Sequence, residues 1–386
     1  MTSGQARVAG TPRPVARGWR ERFRDWRNRT IADPAFQRWA AAFPLTRPIA
    51  RRHAREVFDL VAGFVYSQVL LACVRLHLFE RLADGEVALA DLAHGAELPL
   101  DAMQRLVSAA ASLELLEQRA DRVALGRLGA PLVGNKGLQA MIEHHATLYG
   151  DLADPLALLR REARPAMAGY WPYVGGAQAP ASLAPERVAE YSALMSASQP
   201  LVAREVLDVY RFDRHRVLLD VGGGEGTFLG AVAQQAPQLQ LRLFDLPAVA
   251  DRARSRFAAW GLLDRAQAFG GDFFDDPLPE GADVVSLVRV AFDHPDERVL
   301  RLLANVRRAL PPGGTLVLAE PMSGAPGAAA MGDAYFGFYL LAMGRGRPRS
   351  AAQLAELLHE AGFDRIRSLP TRMPLQAGVL IARRPA

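Results

Sequence analysis

Two hydrophobic periods divide the chain. Beyond Arg216, short leucine-rich and β-branched runs (VLLDV, LRLFD, DVVSLVRV, TLVLAE) alternate with helix-period segments such as ERVLRLLANVRRAL and AAQLAELLHEAGF. Strands separated by helices predict a parallel sheet with helices on both faces. RIRSLP and AGVLIARR predict a closing hairpin pair. Before Arg216 the spacing is helical. From Val57, VFDLVAGFVYSQVLLACVRLHLFERL is apolar almost all round, which predicts a helix buried against more than one neighbour. VALADLAHGAEL, a longer helix over Asp101–Leu116 and a two-stranded wing in RADRVALGRLGAPLV then give the outline of a winged helix. Residues 140–215 read as mostly helical, broken at about 163–182 by Pro and Gly. Tyr170, Trp171 and Tyr173 there predict a segment that lines or covers a cleft.

These patterns predict four parts: an extension over 1–56, a winged-helix-like domain over 57–150, a helical linker over 151–215 and an α/β domain over 216–386. A chain of 386 residues has room for two cores. The longest apolar run, Leu60–Val74, contains Ser67 and Gln68 and falls short of the roughly 20 residues of a bilayer span, so a buried helix is expected. Residues 1–30 are polar and Arg-rich with no apolar core of a signal peptide, which predicts a cytoplasmic protein. Cys73 is the single cysteine and lies in the apolar helix, where a thiol packs.

Charge changes the picture at one end. Residues 1–55 hold thirteen arginines against Glu21, Asp25 and Asp33, an excess greater than the whole chain's net charge of +5, so the remainder is slightly acidic. Such a segment attracts anionic lipid or nucleic acid. Trp19, Phe23, Trp26, Phe36, Trp39 and Phe43 are interleaved with the arginines, which favours an interfacial segment on a membrane surface or a cover over the body. Arginine is also this chain's habit, since 45 of its 46 basic residues are Arg, leaving Lys136 as the exception. A DNA-reading helix presents several cations or amides to phosphates and base edges. Asp101–Leu116 offers Gln104 and Arg105 beside Asp101 and Glu114, so the winged module reads as a dimerisation element and no nucleic-acid partner is expected.

Candidate chemistry begins at DVGGGEG. Gly222, Gly223, Gly224 and Gly226 follow a strand ending at Val221, and glycine lets a backbone turn tightly and approach a ligand. The spacing is G-x-G-x-G, and Thr227 stands where the dinucleotide fingerprint needs its last glycine. Asp220 ends the first strand, Asp245 the second, and Asp272 follows the third. At the carboxyl edge of one sheet these acids describe an adenosine site: a carboxylate after strand two accepts ribose hydroxyls, and one after strand three accepts an adenine amino hydrogen.

DVGGGEG, FDLPAV, GGDFF, the PPGG turn at 311–314 and AGF before the last strands together resemble the S-adenosylmethionine-dependent O-methyltransferases of the plant and bacterial small-molecule type, over about residues 57–386. The resemblance implies a Rossmann-like methyltransferase sheet, an N-terminal winged-helix dimerisation domain, a homodimer and no metal. It also implies cofactor contacts at Asp220, Gly222, Gly224, Asp245, Leu246, Asp272, Phe273 and Arg289. The family's general base is a His in L-x-R-V-L-H-D-x-x-D-E. Laid over LVRVAFDHPDER, that position is Phe292, with Asp293 in register and His294 two residues later. Glu320 matches an acid that orients the family's histidine, and Pro348 in RPRS replaces another acid.

Three proton routes remain open: His294 from a rearranged loop, His144 and His145 from the helical part, or late loss to water or to Asp293. A weakly acidic aliphatic alcohol fits the last, because general-base help is greatest when both pKa values lie near the working pH. Tyr335, Phe336 and Tyr339 in MGDAYFGFYLLAM predict, with Phe292, an apolar substrate surface. The aromatic stretch, the Arg/Trp extension and the missing histidine resemble the family's bacterial carotenoid branch, which methylates a C-1 hydroxyl. A bacteriochlorophyll precursor or other large apolar ring system, and a non-catalytic cofactor-binding regulator, are the alternatives.

Overall fold

The computed structural model describes residues 18–169 and 198–386. Tyr170, Trp171 and Tyr173, most of the expected cleft segment and the first seventeen residues lie outside the described residues. The chain divides into two units, at Leu70 and Leu71.

The first unit holds helices Trp19–Ala32 and Pro34–Ala42 and most of Arg47–Arg75. Asp33 starts the second helix, accepting from the Ala35 N–H at 2.9 Å just ahead of Pro34, whose fixed φ suits a first helical position. Trp39 stacks on Phe43 at 5.2 Å. Trp19, Phe23, Trp26 and Trp39 are exposed.

Helix Arg47–Arg75 corrects two expectations. Its 29 residues form one element that crosses residue 56 without a break, and by length and composition alone it is long enough to cross a membrane. Ser67 and Gln68 interrupt the apolar run without ending the helix. Nor is it buried along its length: among its residues only Leu71, Cys73 and Val74 are, while Val57, Phe58, Leu60, Val61, Phe64 and Val65 are exposed in the single chain.

The second unit opens with the winged helix. Helices Leu89–Gly95 and Leu100–Ser112 lie between the first and second strands of a sheet of order β1-β3-β2, with β1 Val87–Ala88, β2 Leu116–Arg119 and β3 Arg122–Leu125. The longer helix ends at Ser112 rather than Leu116, because Glu114 takes a left-handed backbone (φ 57°) and Leu116 already pairs with Leu125. The wing therefore starts in LEQR, ahead of the expected position. Gln104 and Gln118 exchange side-chain amide bonds at 3.0 and 3.1 Å, which spends the helix's main polar group on holding the wing.

The α/β part has a seven-stranded sheet of order β6-β5-β4-β7-β8-β10-β9. Strands β4 Val217–Val221, β5 Gln240–Asp245, β6 Ala266–Gly270, β7 Val284–Val288 and β8 Thr315–Glu320 are parallel. β10 Gly378–Arg383 runs antiparallel to β8 and to the edge strand β9 Asp364–Leu369, the expected closing pair. β7 and β8 are buried at every position, which is why their sequences run apolar without alternation. One core layer packs helices Asp296–Ala309 and Ala351–Glu360 on one face, and a second packs Phe228, Val232 and Phe257 with Val206 and Phe212 on the other. The strand order reverses between β4 and β7, which puts a crevice at the carboxyl edge there.

Candidate active site

The crevice floor is the loop after β4. Gly222 (φ 70°) and Gly224 (φ 59°) take backbone conformations that side chains rarely adopt. A Cβ on Gly222 would lie 2.8 Å from Val290, whereas one on Gly224 would meet nothing within 4 Å, so the loop is tight on one side and open on the other. Asp245 is fully buried at the end of β5: its Oδ2 accepts from the Gly224 N–H at 2.8 Å and its Oδ1 from the Leu246 N–H at 2.7 Å. A carboxylate in this place is of the kind that accepts from ribose hydroxyls. Asp272 sits half-buried after β6, its Oδ1 accepting from the Phe274 N–H at 2.8 Å. Phe273 is buried and borders Gly222.

Asp220 stands apart from these. Its Oδ1 accepts from the Ser286 hydroxyl at 2.6 Å and its Oδ2 lies beneath Gly223, so it braces the loop from behind. Burial pushes its carboxyl up to about 7, with the nearby Asp245 adding to the rise and the Ser286 bond opposing it. Arg289, also at φ 60°, leaves β7 and donates from Nη1 to the Ser198 hydroxyl at 2.8 Å. Glycines that admit a close ligand, a buried acid suited to a diol and a second acid on the next strand fit S-adenosylmethionine.

The turn after β7 holds the residues expected to act in catalysis. Glu320, at the end of β8, accepts from the Val290 and Ala291 N–H groups at 3.2 and 2.6 Å and so holds this turn from the neighbouring strand. Burial lifts its carboxyl to about 7, against those N–H groups and Arg349. Arg349, almost wholly buried, grips the same turn from the other side: it donates to the Ala291 carbonyl at 2.9 Å, the His294 carbonyl at 2.6 Å and Asp296 Oδ1 at 2.8 Å. No sequence signal identified Arg349, although it stands in RPRS beside the departure at Pro348.

The turn presents Phe292 and Asp293. Phe292 packs edge-on against Phe336 at 5.9 Å and joins an apolar cluster with Leu148, Met167, Tyr339 and Met343. Above it two histidine–tyrosine pairs tie helix Lys136–Asp151 to the 330–342 segment: His145 Nε2 to the Tyr335 hydroxyl at 2.7 Å and His144 Nε2 to the Tyr339 hydroxyl at 3.1 Å. Burial lowers both histidines, His144 to about 4 with repulsion from His145 adding to the shift, so both rings are neutral near pH 7. The six residues expected to bind substrate, His144, His145, Phe292, Tyr335, Phe336 and Tyr339, are thereby brought together.

Asp293 and His294 separate. The Asp293 carboxyl is buried, and its Oδ1 has no hydrogen-bond partner among the described residues. Burial first and Glu320 second push it well above the carboxylate range, with Arg289 opposing. His294 points the other way, edge-on to Phe274 at 4.9 Å and Phe273 at 5.8 Å. Burial and then the Arg298, Arg349 and Arg345 cations lower it to about 3. The expectation of His294 as a base is corrected: an aromatic wedge that resists protonation this strongly takes no proton at neutral pH.

A sheet of this order with a glycine loop and acids at the ends of β5 and β6 is the Rossmann-like arrangement that holds a nucleoside cofactor. The chain belongs to the O-methyltransferase family: residues 149–364 match its O-methyltransferase domain and residues 58–133 its dimerisation domain. It is 47% identical to the demethylspheroidene O-methyltransferase of Cereibacter sphaeroides over 352 residues, 91% of this chain and 92% of that protein. The protein of the same name from Rhodobacter capsulatus is 44% identical over 88% of this chain and 85% of its own length. The aclacinomycin 10-hydroxylase RdmB of Streptomyces purpurascens is 34% identical over 78% and 82%. Among solved structures, the calicheamicin-biosynthesis methyltransferase CalO1 with SAH bound has a TM-score of 0.72 at 26% identity, covering 87% of this chain and 98% of that one.

Proposed function

We propose that this protein transfers a methyl group from S-adenosylmethionine to the C-1 hydroxyl of a carotenoid of the demethylspheroidene or hydroxyneurosporene type. The carrying observation is Phe292, which stands at the position of the family's base, inside an aromatic and apolar cluster. The two demethylspheroidene O-methyltransferases support the substrate class.

The cofactor, when bound, supplies an electrophilic methyl on a sulfonium. The chain's residues do the rest. Gly222 to Gly226 and Asp245 fix the nucleoside, and the Glu320 and Arg349 grips fix the turn that faces the acceptor. Phe292, Phe336, Tyr335 and Tyr339 exclude water and hold an apolar chain, so alignment carries most of the rate. A tertiary alcohol is too weak an acid for a histidine to deprotonate beforehand. Once its oxygen has bonded to carbon it is an oxonium, a strong acid that gives its proton to a weak base. Water serves, as does the Asp293 carboxyl once the positive charge of a bound cofactor has offset its burial and ionised it. This is why Phe at position 292 is compatible with transfer.

The dimerisation domain carries the exposed apolar side of helix Arg47–Arg75, which pairs with a second copy. The exposed Trp19, Phe23 and Trp26 among arginines suit peripheral contact with the cytoplasmic face of a membrane, where the carotenoid dissolves. The test is transfer of labelled methyl to detergent-dispersed 1-hydroxycarotenoids, with simple phenols and a bacteriochlorophyll precursor in parallel. Label in a carotenoid methyl ether is expected. Because the family also contains a protein named as a hydroxylase, confirmed cofactor binding without label in any acceptor would overturn the proposal.

A further inference from the structure

At the opposite end of the sheet from the glycine loop lies a depression of about 1210 Å³. Arg216, Asp283 and Thr315 open β4, β7 and β8 there, and β9 and β10 add Arg365, Arg367 and Arg383. A five-residue strand spans about 16 Å, so this is a second place on the fold, separate from the methyl-transfer crevice.

Its lining has six arginines, Arg211 and Arg214 completing the set, against two acids, Asp208 and Asp283. Both acids are already engaged. Asp208 pairs with Arg372 at 3.3 Å, outside the lining. Asp283 accepts from His215 Nδ1 at 2.9 Å and from the Val217 N–H at 2.8 Å, and His215 Nε2 in turn meets the Tyr210 hydroxyl at 2.7 Å. Of the arginines, Arg211 pairs with Asp213, and Arg383 donates to the Gly313 carbonyl at 2.8 Å. Arg216, Arg365 and Arg367 have no ion pair among the described residues. A concave surface with this much unneutralised charge attracts anions.

Edge-strand protection accounts for part of the pattern, since charges on an edge strand prevent pairing with another chain. It does not account for Arg214 and Arg216, which lead into the interior strand β4. Nor does it account for Arg365, which sits in a left-handed backbone (φ 48°) where the β9–β10 register shifts. Such a bulge re-aims a side chain, and it normally takes glycine at a left-handed residue. Here the position holds an arginine that lines the depression.

We infer that this depression binds a phosphate-bearing anion, whose oxygens suit planar guanidinium forks. Two sources share that chemistry, a phospholipid headgroup and a soluble phosphate compound. The test uses the full chain and the triple variant Arg216→Gln, Arg365→Gln, Arg367→Gln. All three side chains belong to exposed residues outside the methyl-transfer site, and unaltered thermal melting checks the fold. One arm titrates inorganic pyrophosphate by calorimetry. The other floats the protein with phosphatidylglycerol-containing vesicles and with pure phosphatidylcholine vesicles.

Binding in at least one arm, weakening with salt, is expected. The triple variant should lose on the order of a hundredfold, at about fivefold per arginine near an anionic surface. Pyrophosphate binding alone identifies the soluble source, and anionic-vesicle binding lost in the variant identifies the lipid. No binding in either arm overturns the inference, as does a variant that binds like the parent, because the vesicles are then held by other residues. None of these outcomes depends on the identity of the methyl acceptor.

Discussion

Arg349 is the most stringent point at which to perturb the active-site turn. Arg349→Met keeps most of the buried volume and removes the guanidinium. The His294 carbonyl, now accepting at 2.6 Å, loses its donor in a closed interior, while the Ala291 carbonyl loses the bond at 2.9 Å and keeps the His294 N–H at 3.2 Å. Each buried acceptor left without a partner costs about 1–3 kcal/mol. Asp296 loses least, because its side chain is partly exposed and keeps Arg347 at 2.6 Å. With the smaller losses at Ala291 and Asp296 the sum is about 3 kcal/mol, a fall in melting temperature of roughly 8 °C for a domain of this size. A second effect separates positioning from bulk stability. Arg349 is one of the groups that hold the Glu320 carboxyl down to about 7, so its removal raises that pKa further and moves any transfer limb governed by Glu320 to higher pH. Thermal melting and a pH profile of kcat on the same protein check both. A melting shift below 2 °C, or a lower kcat with an unmoved pH limb, would refute the claim that Arg349 holds the turn and tunes Glu320.

Phe292→His returns imidazole to the family's base position and should raise methylation of simple phenols by about a hundredfold while lowering transfer to an aliphatic alcohol, measured as kcat/KM with labelled cofactor. Gly222→Ala adds a Cβ 2.8 Å from Val290 at a backbone φ of 70° and should weaken S-adenosylmethionine binding by at least tenfold in calorimetry. Tyr335→Phe leaves His145 Nε2 without its hydroxyl and should cost about 1–3 kcal/mol of stability by denaturant titration. Asp220 is raised in the folded state to about 7, so the folded chain binds the proton more tightly. Its contribution to stability is complete below pH 4 and is lost as pH rises through 7. Asp220→Asn should remove that part of the slope between pH 4 and 7 in chemical unfolding.

The sheet was legible because its signal is local. A strand buried on both faces is an apolar run, and glycines after it are required by the turn itself, so β4, β5, β7, β8 and the loop at 222–226 stand in the sequence as they stand in the fold. Asp245 was equally legible, since the last residue of a strand at the crevice can hardly point elsewhere. The cluster of His144, His145, Phe292, Tyr335, Phe336 and Tyr339 was legible only as residue types. Their meeting depends on helix Lys136–Asp151 returning over the 330–342 segment, about 190 positions away in the chain. Orientation was not legible at all. Asp293 and His294 are neighbours of similar promise, yet one carboxyl has an oxygen without a partner among the described residues and the other's ring is wedged against Phe273 and Phe274 beside three cations. Arg349 was hidden because its partners are mostly backbone carbonyls, which leave no mark on composition.

The arrangement around Phe292 also explains why losing the histidine leaves the rest of the turn intact. Glu320 accepts from the backbone of residues 290 and 291, and Arg349 donates to the backbone of 291 and 294, so neither grip depends on the side chain at 292. The position is free to change without loosening Asp293, whereas the backbone around it is not. An imidazole there would meet the edge of Phe336 and the surrounding apolar cluster, an environment that favours its neutral form but offers it no partner. A benzyl group fills the same place and extends the wall that Tyr335, Phe336 and Tyr339 begin. With an acceptor whose proton becomes acidic only after the carbon–oxygen bond forms, the wall contributes more than the base: every water it excludes is a competing ligand for the hydroxyl and a source of misalignment. On the proposed function, the selectivity between aliphatic alcohol and phenol rests on one side chain of a turn that is gripped through its backbone.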